Sequence, residues 1–384
     1  MDAEKTALEL AGREKEIAGL LAELVSKKTV NPPGNEFLAA GVLEKYFKKH
    51  KIRCRKFEKE KGRTSLVASI GQGGPELMVA LHSDVVPAGG GWKTEPFKAV
   101  LKNGKIFGRG SADNKGPLAA SAIFLSAMKK HEKELKGTIS VLAAADEERG
   151  SGLGMAFLLQ ENKIRPDFVV VPDIFTENQK ISVAEKGLLH VKAEAFGKQA
   201  HGSEPEKGEN AIAKMGHFLC ELKKIKMPSC KSRYFKSATL NIGTICGGEA
   251  INIVPAYCEA KIDIRFIPGQ GPREIFRRIK SVAKKHGANV SVIDCQMPFE
   301  ISGNIPLVKS IERNAKKITG KKPSLAGMAG TTVAKKFLEK CIPAIGFGPG
   351  KMVAHESNEF IEIKQLVEFA QIMALVSADL LGKK

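Results

Sequence analysis

Short, largely apolar runs that alternate with amphipathic helical segments restrict what this chain can fold into. Their length and their richness in branched side chains are typical of strands that are buried on both faces. They lie at residues 66–70, 77–81, 138–145, 168–171 and 342–347. Strands that alternate with helices in this way predict an α/β fold, in which a mostly parallel sheet is flanked by helices.

The alternation changes character from about residue 182. Three stretches there alternate apolar with polar residues, which is typical of antiparallel strands with one solvated face. They lie at residues 181–195, 238–245 and 257–266. We therefore predict a catalytic domain built from residues 1–183 and 297–384, and an inserted α+β domain with an antiparallel sheet at residues 184–296. Two domains also agree with the length of 384 residues, because a single core rarely grows so large.

One amphipathic helix is predicted at the start of the chain, over residues 4–28. Ile17, Leu20 and Leu24 recur there at helical spacing. The Asn-Pro-Pro-Gly sequence at residues 31–34 is typical of a turn and ends the helix.

The net charge of +19, from 61 Lys and Arg against 42 Asp and Glu, raises the question of a polyanionic partner. The lysines are spread over the predicted helices without interleaved aromatic residues, which is the pattern of a solvated surface. We therefore predict no nucleic-acid partner. No window of about 18 residues is apolar and uncharged, so we also predict no membrane-spanning segment.

The seven cysteines are scattered, and none forms a Cys-x-x-Cys pair. This distribution argues against a disulfide framework and against a thiolate zinc site. The start of the chain is polar and lacks the apolar core of a signal peptide, so we predict a cytoplasmic protein.

Histidine and acidic residues stand where several of the predicted strands should end, and in one glycine-rich loop. They are His82, Asp84, Asp113, Glu147, Glu148, Asp173 and His355. Taken singly, each has an ordinary alternative, such as a helix cap for Asp113 or a solvated turn for Glu147 and Glu148. Together they favour a metal site, because the carboxyl ends of the strands form the usual ligand-binding edge of such a sheet.

The composition of this set suits a pair of divalent ions. Two histidines and three carboxylates are ligands that Zn²⁺ accepts, and Co²⁺ or Mn²⁺ would fit a similar set. Two ions that share a carboxylate can polarise a carbonyl and activate a water. His82 and Asp84 share one face of a strand, so the carboxylate can orient the imidazole. Neighbouring glutamates on an extended segment point to opposite sides, so one of Glu147 and Glu148 can bind metal while the other acts as general base.

The motifs around these residues resemble the acetylornithine deacetylase / succinyl-diaminopimelate desuccinylase / glutamate carboxypeptidase family of co-catalytic zinc hydrolases, in peptidase clan MH. The resemblance extends from Asn-Pro-Pro-Gly-Asn-Glu at residues 31–36 to His-Glu-Ser-Asn-Glu at residues 355–359. Between them lie His-Ser-Asp-Val-Val-Pro at 82–87, the loop at 108–116, Asp-Glu-Glu at 146–148 and Gly-Lys-Gln-Ala-His-Gly-Ser at 197–203.

The resemblance implies a ligand set and a general base. One zinc ion would be bound by His82 and Asp173, the other by Glu148 and His355, and both by Asp113. Glu147 would be the general base that activates the attacking water, and Asp84 would orient the first histidine. The peptide bond that follows Asp113 would be cis.

The same resemblance implies roles for the inserted domain, which in this family commonly dimerises and forms a lid. His201 would reach the active site of a neighbouring subunit and stabilise the oxyanion. The alternative for His201 is a structural role in capping a loop. Arg265, Asn252 and Thr331 would contact the substrate, and the planar guanidinium suits a carboxylate.

The chain departs from strict desuccinylases at two segments that contact the substrate. Those enzymes carry an arginine pair where this chain has Glu-Lys-Gly at residues 185–187, and Gly-Thr-Ser-Asp where it has Gly-Thr-Thr-Val at residues 330–333. We therefore expect a homodimeric di-zinc amidohydrolase that cleaves a small N-acyl amino acid with a free carboxylate. The alternative is a metallo-dipeptidase or carboxypeptidase of the same family. A non-catalytic relative is disfavoured, because the ligand set and Glu147 are intact.

Overall fold

The computed structural model describes residues 2–382. The helices of this part of the chain are α1 (Ala3–Ala11), α2 (Glu14–Val25), α3 (Phe37–Lys49), α4 (Lys115–Met128), α5 (Met155–Gln160), α6 (Ala211–Leu222), α7 (Pro272–Lys285), α8 (Pro306–Thr319), α9 (Ala334–Leu338) and α10 (Ile363–Leu381). Its strands are β1 (Arg53–Glu58), β2 (Thr64–Gly71), β3 (Glu76–His82), β4 (Val100–Lys102), β5 (Lys105–Phe107), β6 (Thr138–Ala144), β7 (Phe168–Val171), β8 (Lys180–Glu185), β9 (Gly187–Phe196), β10 (Thr239–Gly247), β11 (Tyr257–Phe266), β12 (Ala288–Gln296), β13 (Phe299–Glu300), β14 (Ser324–Met328), β15 (Ala344–Gly346) and β16 (Phe360–Glu362). Among the helices so described, none is both long and apolar enough to cross a membrane.

The chain divides into two compact units. The first comprises Met1–Val183, Ile301–Ala326 and Thr332–Lys384, and the second comprises Ala184–Glu300 and Gly327–Thr331. A catalytic role for the first and a lid or dimerisation role for the second remain predictions.

The first unit is built on a sheet whose strands follow the order β1-β2-β6-β3-β7-β15-β8. The four strands β6, β3, β7 and β15 run parallel to one another, and Leu77 in β3 lies opposite both Ile139 in β6 and Phe168 in β7. The pairs at the two ends of the order, which involve β1, β2 and β8, are antiparallel. The predicted α/β class with a mostly parallel sheet is confirmed.

Helix α4 is buried along its whole length. It contacts β3, β6, α2 and α10. Its sequence is apolar around the whole circumference rather than along one stripe, which is typical of a helix inside a core. Lys115, its first residue, is its one charged residue, and its Nζ donates to the Lys27 carbonyl oxygen (2.8 Å). The loop that carries Asp113 leads directly into this helix.

The single N-terminal helix predicted over residues 4–28 is wrong, because the structure has two helices there. Helix α1 ends at Ala11 and helix α2 begins at Glu14. Between them lies Gly12, whose backbone N–H donates to carbonyl oxygens in the last turn of α1. Glycine is a poor helix former, so a break at this position costs little.

The second unit contains an antiparallel sheet in the order β10-β11-β9-β12. Strands β9 and β11 alternate buried with less buried residues, in agreement with the alternation in the sequence. Helices α6 and α7 contribute to a common core with the buried face of this sheet.

Two features of this region were not predicted. The stretch 181–195 is divided into β8 and β9 at Lys186, whose backbone N–H donates to the Met328 carbonyl oxygen (3.1 Å). Strand β12 was missed altogether. It pairs with β9 and interrupts the alternation with a bulge between Val292 and Asp294.

Candidate active site

The carboxyl ends of four adjacent parallel strands carry the candidate residues of the first unit. His82 is the last residue of β3, Glu147 and Glu148 follow β6, Asp173 follows β7, and His355 follows β15 after a loop. Because β6, β3, β7 and β15 are neighbours in the sheet, their carboxyl ends meet at one edge. The parallel topology therefore brings together residues that are far apart in the chain.

Asp113 lies between the two histidines and contacts both. His82 Nε2 is 3.0 Å from Asp113 Oδ1, and His355 Nε2 is 3.2 Å from Asp113 Oδ2. His355 Nε2 also lies 3.3 Å from Glu148 Oε2. Potential ligand atoms lie within 4.8 Å of one another in two groups, one formed by His82, Asp113 and Asp173, and one by Asp113, Glu148 and His355. Asp113 is the residue that the two groups share.

The two histidines differ in their access to solvent. The side chain of His82 is 2 % exposed, whereas that of His355 is 58 % exposed. Glu148, beside His355, is nevertheless 7 % exposed. The site is therefore enclosed around His82 and open to solvent around His355.

The histidines and the shared carboxylate stabilise each other's charge. Burial by itself would lower the pKa of His82, but hydrogen bonds to Asp113 and Asp84 outweigh burial and raise it. Hydrogen bonds to Asp113 and Glu148 raise the pKa of His355 to about 10. Burial would raise the pKa of Asp113, but its hydrogen bonds with His355 and His82 outweigh burial and lower it. The pKa of Glu147 is raised, chiefly by burial.

The donor set fits divalent metal ions. Imidazole nitrogens and carboxylate oxygens are ligands that Zn²⁺ accepts. In addition, Glu148 Oε1 is buried and has no hydrogen-bond partner among the described residues. A buried carboxylate oxygen without a partner is costly, and a cation at this position would remove the cost. Both the residue types and this oxygen therefore favour a metal site.

Glu147 and Glu148 begin a 3-10 turn, Glu147–Arg149, so the extended segment predicted here is wrong. Asp84 explains the turn, because its Oδ1 accepts the backbone N–H of Glu147 (3.1 Å) and its Oδ2 accepts that of Glu148 (3.2 Å). Successive side chains in such a turn are rotated by about 120°. The two carboxylates can therefore still take different roles.

Asp84 also contacts His82, in a way that the sequence predicted only in part. His82 Nδ1 lies 3.0 Å from the backbone carbonyl oxygen of Asp84 and 3.5 Å from its Oδ1. A proton on Nδ1 is thus directed at Asp84, which leaves Nε2 to face Asp113. Asp84 orients both the imidazole and the turn that carries Glu147.

A buried hydrogen-bond network next to this turn was missed by sequence reasoning. Asn31 Nδ2 donates to Asp84 Oδ2 (2.8 Å) and to Asp146 Oδ1 (3.1 Å). Arg63 donates to both carboxylate oxygens of Glu36 (2.8 and 2.7 Å) and to Asp146 Oδ1 (3.0 Å). Asn31 and Glu36 belong to the first motif of the family resemblance, so that motif could have identified them as residues of the site. Arg63 belongs to no motif, and only the fold reveals its role.

The peptide bond between Asp113 and Asn114 is cis, as the resemblance implied. Asn114 Nδ2 donates to the Pro172 carbonyl oxygen (3.0 Å) and to Asp173 Oδ1 (3.4 Å). The side chain of Asn114 thereby joins the loop of Asp113 to the loop of Asp173.

Two of the candidate residues in the second unit contact each other. Arg265 Nη1 donates to Thr331 Oγ1 (3.1 Å). Its Nε and Nη2 donate to the two carboxylate oxygens of Asp263 (2.8 and 3.1 Å). Asp263 therefore fixes the plane of the guanidinium, and Nη1 is held toward Thr331.

The other two candidates of the second unit, His201 and Asn252, lie in neighbouring loops. The Gly202 N–H donates to the Asn252 carbonyl oxygen (2.7 Å). His201 is exposed, and its Nδ1 accepts the backbone N–H of Ser203 (3.2 Å). Nδ1 also lies 2.7 Å from Ser203 Oγ. A neutral imidazole whose Nδ1 accepts both hydrogen bonds would carry its proton on Nε2 and offer a donor there.

Curated relatives match most of the chain. An uncharacterized metallohydrolase of Methanococcus maripaludis is 32% identical over 327 residues, which cover 77% of this chain and 79% of the relative. An acetylornithine deacetylase of Proteus mirabilis is 30% identical and covers 84% of each chain. A succinyl-diaminopimelate desuccinylase of Zymomonas mobilis is 29% identical and covers 83% of this chain and 85% of the relative.

Solved structures share the fold. A tripeptidase of Staphylococcus aureus superposes with a TM-score of 0.79 over 94% of this chain and 97% of its own, at 23% identity. An M20 family metallo-carboxypeptidase of Sulfolobus solfataricus has the same TM-score of 0.79 over 95% of this chain and 99% of its own, also at 23% identity. The model of Peptidase family M20/M25/M40 matches residues 78–379. The chain therefore belongs to peptidase family M20/M25/M40 and is a metallohydrolase.

Proposed function

We propose that this protein is a di-zinc amidohydrolase that removes the acyl group from a small N-acyl amino acid with a free carboxylate. One observation carries the proposal, the meeting of five ligand-type side chains at one edge of the parallel sheet, in two groups that share Asp113. The second candidate is a metallo-dipeptidase or carboxypeptidase of the same family, in which the same residues would cleave a peptide bond.

In this proposal, His82 and Asp173 would hold one divalent ion, Glu148 and His355 would hold the other, and Asp113 would contribute to both. Zn²⁺ is the ion we propose, and Co²⁺ or Mn²⁺ would fit the same donors. When bound, such a pair polarises the substrate carbonyl and lowers the pKa of water.

Glu147 acts as the general base and then as the general acid. It takes a proton from the attacking water and returns it to the nitrogen of the leaving amine, so no net proton is gained or lost. Its position supports this role, because it shares a turn with Glu148 and the backbone of that turn is fixed by Asp84. A general base must be held in this way to meet its proton at hydrogen-bond distance.

His201 donates a hydrogen bond from Nε2 to the developing oxyanion, in the active site of the partner of a homodimer. The contacts of Nδ1 with Ser203 support this assignment, because a neutral imidazole that accepts at Nδ1 carries its proton on Nε2. The homodimer is supported by apolar side chains exposed on the second unit, among them Phe196 (52%), Ile245 (55%) and Ile293 (52%). Two of them lie on β10 and β12, the outer strands of its antiparallel sheet as described, and outer strands can pair with a second chain.

Arg265, Asn252 and Thr331 bind the free carboxylate of the substrate. A guanidinium held in one plane by Asp263 is suited to a carboxylate, because little side-chain entropy is lost on binding. Deacylation is the first candidate because the curated relatives at 29% and 30% identity include a desuccinylase and a deacetylase.

A hydrolysis panel on the full-length protein separates the two candidates. We expect the zinc-loaded protein to hydrolyse N-acetyl or N-succinyl amino acids faster than dipeptides, and a chelator to abolish the activity until zinc is restored. Replacing the substrate carboxylate with a carboxamide should lower kcat/KM by at least about tenfold, since a hydrogen bond to a charged group contributes roughly 1.5–3 kcal/mol.

Each outcome of the panel has a distinct meaning. Turnover of dipeptides alone would replace the deacylase with the peptidase. Absence of chelator-sensitive hydrolysis on every substrate class would contradict an amidohydrolase of either kind.

A further inference from the structure

Glu359 is a buried carboxylate whose two oxygens each accept two hydrogen bonds. Oε1 accepts the backbone N–H groups of Ala112 (2.8 Å) and Asp113 (3.0 Å). Oε2 accepts the backbone N–H of Gly110 (3.0 Å) and Nη1 of Arg109 (2.7 Å). The side chain of Glu359 is 0% exposed. The four donors therefore provide the hydrogen bonds that water would otherwise make to the carboxylate. One of them belongs to the residue that both ligand groups share.

Arg109 extends the same arrangement to two other loops of the site. Its Nη2 donates to the carbonyl oxygens of Ala88 (3.1 Å) and His355 (3.3 Å). Residue 88 follows the segment that carries His82 and Asp84, so the guanidinium joins three loops whose side chains form the site. The side chain of Arg109 is 2 % exposed. Both terminal nitrogens of its planar guanidinium are hydrogen-bonded, so the group is held in one orientation.

We propose that Glu359, acting with Arg109, is a positioning residue that orients Asp113 and His355 for metal binding. The proposal rests on the proposed function for its metal ligands. The carboxylate fixes the backbone from which the Asp113 side chain projects, and through the guanidinium it fixes the His355 backbone. Glu359 belongs to neither group of potential ligands, so its effect on catalysis would pass through the geometry of Asp113 and His355. Groups that orient metal ligands in this way typically change metal affinity about 10–100-fold when they are altered.

Glu359→Gln tests this without changing the size of the side chain. An amide offers one acceptor oxygen and one NH2 donor. In either orientation, the NH2 faces a pair of donors, namely the N–H groups of Ala112 and Asp113 or the groups of Gly110 and Arg109. Two of the four hydrogen bonds are lost and replaced by donor–donor contacts. The matched control is Glu356→Gln, which removes the same charge from an exposed residue three positions away.

The experiment measures Co²⁺ binding to the full-length protein by titration calorimetry and by the visible absorption of the bound ion. We expect Glu359→Gln to bind Co²⁺ about 10–100-fold more weakly, with an altered spectrum, and to regain hydrolysis as the metal concentration is raised. Glu356→Gln should match the wild type in all three respects. A folded Glu359→Gln protein with wild-type affinity and spectrum would overturn the proposal.

A second variant covers the case in which Glu359→Gln does not fold. Arg109→Lys keeps the positive charge but loses the planar fork, so it should weaken Co²⁺ binding and change the spectrum while the circular dichroism stays that of the wild type. Unchanged Co²⁺ binding by folded Arg109→Lys would then overturn the proposal. The proposed function fails separately, if the wild-type protein binds the ions but hydrolyses no substrate of the panel.

Discussion

Glu147→Gln is expected to lower kcat by about 10²–10⁴-fold while the protein keeps its bound metal ions. The substitution removes the proposed general base, and it leaves the side-chain volume nearly unchanged. The backbone N–H of residue 147 still donates to Asp84, so the turn should keep its shape. Steady-state kinetics on the best substrate of the panel, together with metal analysis of the same sample, measure both quantities.

The matched variant is Glu148→Gln, one residue further along the same turn. Glu148 is assigned to metal binding, and its buried Oε1 has no partner among the described residues. We therefore expect Glu148→Gln to lose metal as well as activity, and excess zinc to restore activity to it but not to Glu147→Gln. If metal were lost from Glu147→Gln and kept by Glu148→Gln, the two roles would have to be exchanged.

Removal of the metal ions is expected to lower the melting temperature by roughly 8–16 °C for each ion removed. An ion present at 1,000 times its dissociation constant stabilises a protein by about 4 kcal/mol, and each kcal/mol shifts the midpoint of a domain of this size by about 2–4 °C. The physical reason is the close approach of Asp113, Glu148 and Asp173, whose negative charges the bound ions compensate. Calorimetric melts of the full chain with zinc, with chelator, and with chelator followed by zinc measure the shift and its reversal.

Asp113→Asn is the control for this shift. The amide keeps the shape of the shared carboxylate but offers a weaker ligand to both proposed ion positions. Zinc should therefore raise its melting temperature much less than that of the wild type. An equal shift in both proteins would mean that the stabilising ions bind elsewhere.

The positions of the ligand-type residues could be predicted from the sequence because they depend on topology. An apolar run followed by His82 or Asp173 places the side chain at the carboxyl edge of a parallel sheet, whatever the details of the loop. The order of β6, β3, β7 and β15 then brings these edges together. Asp113 lies in a loop that shows no strand pattern of its own. Its glycine-rich surroundings made it a candidate, and the resemblance to a known family implied its place as the shared ligand.

The conformation around Glu147 could not be predicted, because it depends on a partner 63 positions away in the chain. Asp84 stabilises the 3-10 turn by accepting the backbone N–H groups of Glu147 and Glu148. The local sequence around Glu147 gives no sign of these hydrogen bonds. The same holds for Arg63, whose hydrogen bonds to Glu36 and Asp146 arise from tertiary structure alone. Strand β12 was not predicted for a different reason. Its bulge interrupts the alternation of apolar and polar residues from which strands are predicted.

If two ions bind as proposed, the contrast between an enclosed His82 and an open His355 implies that the two ions dissociate at unequal rates. A ligand that is 58 % exposed can exchange its ion for solvent by a small rotation, whereas one that is 2 % exposed must wait for the surrounding loops to separate. A stopped-flow chelation trace should accordingly show two phases, with the faster one eliminated in His355→Ala. Such a protein would pass through a singly loaded species each time it acquires or surrenders its metals.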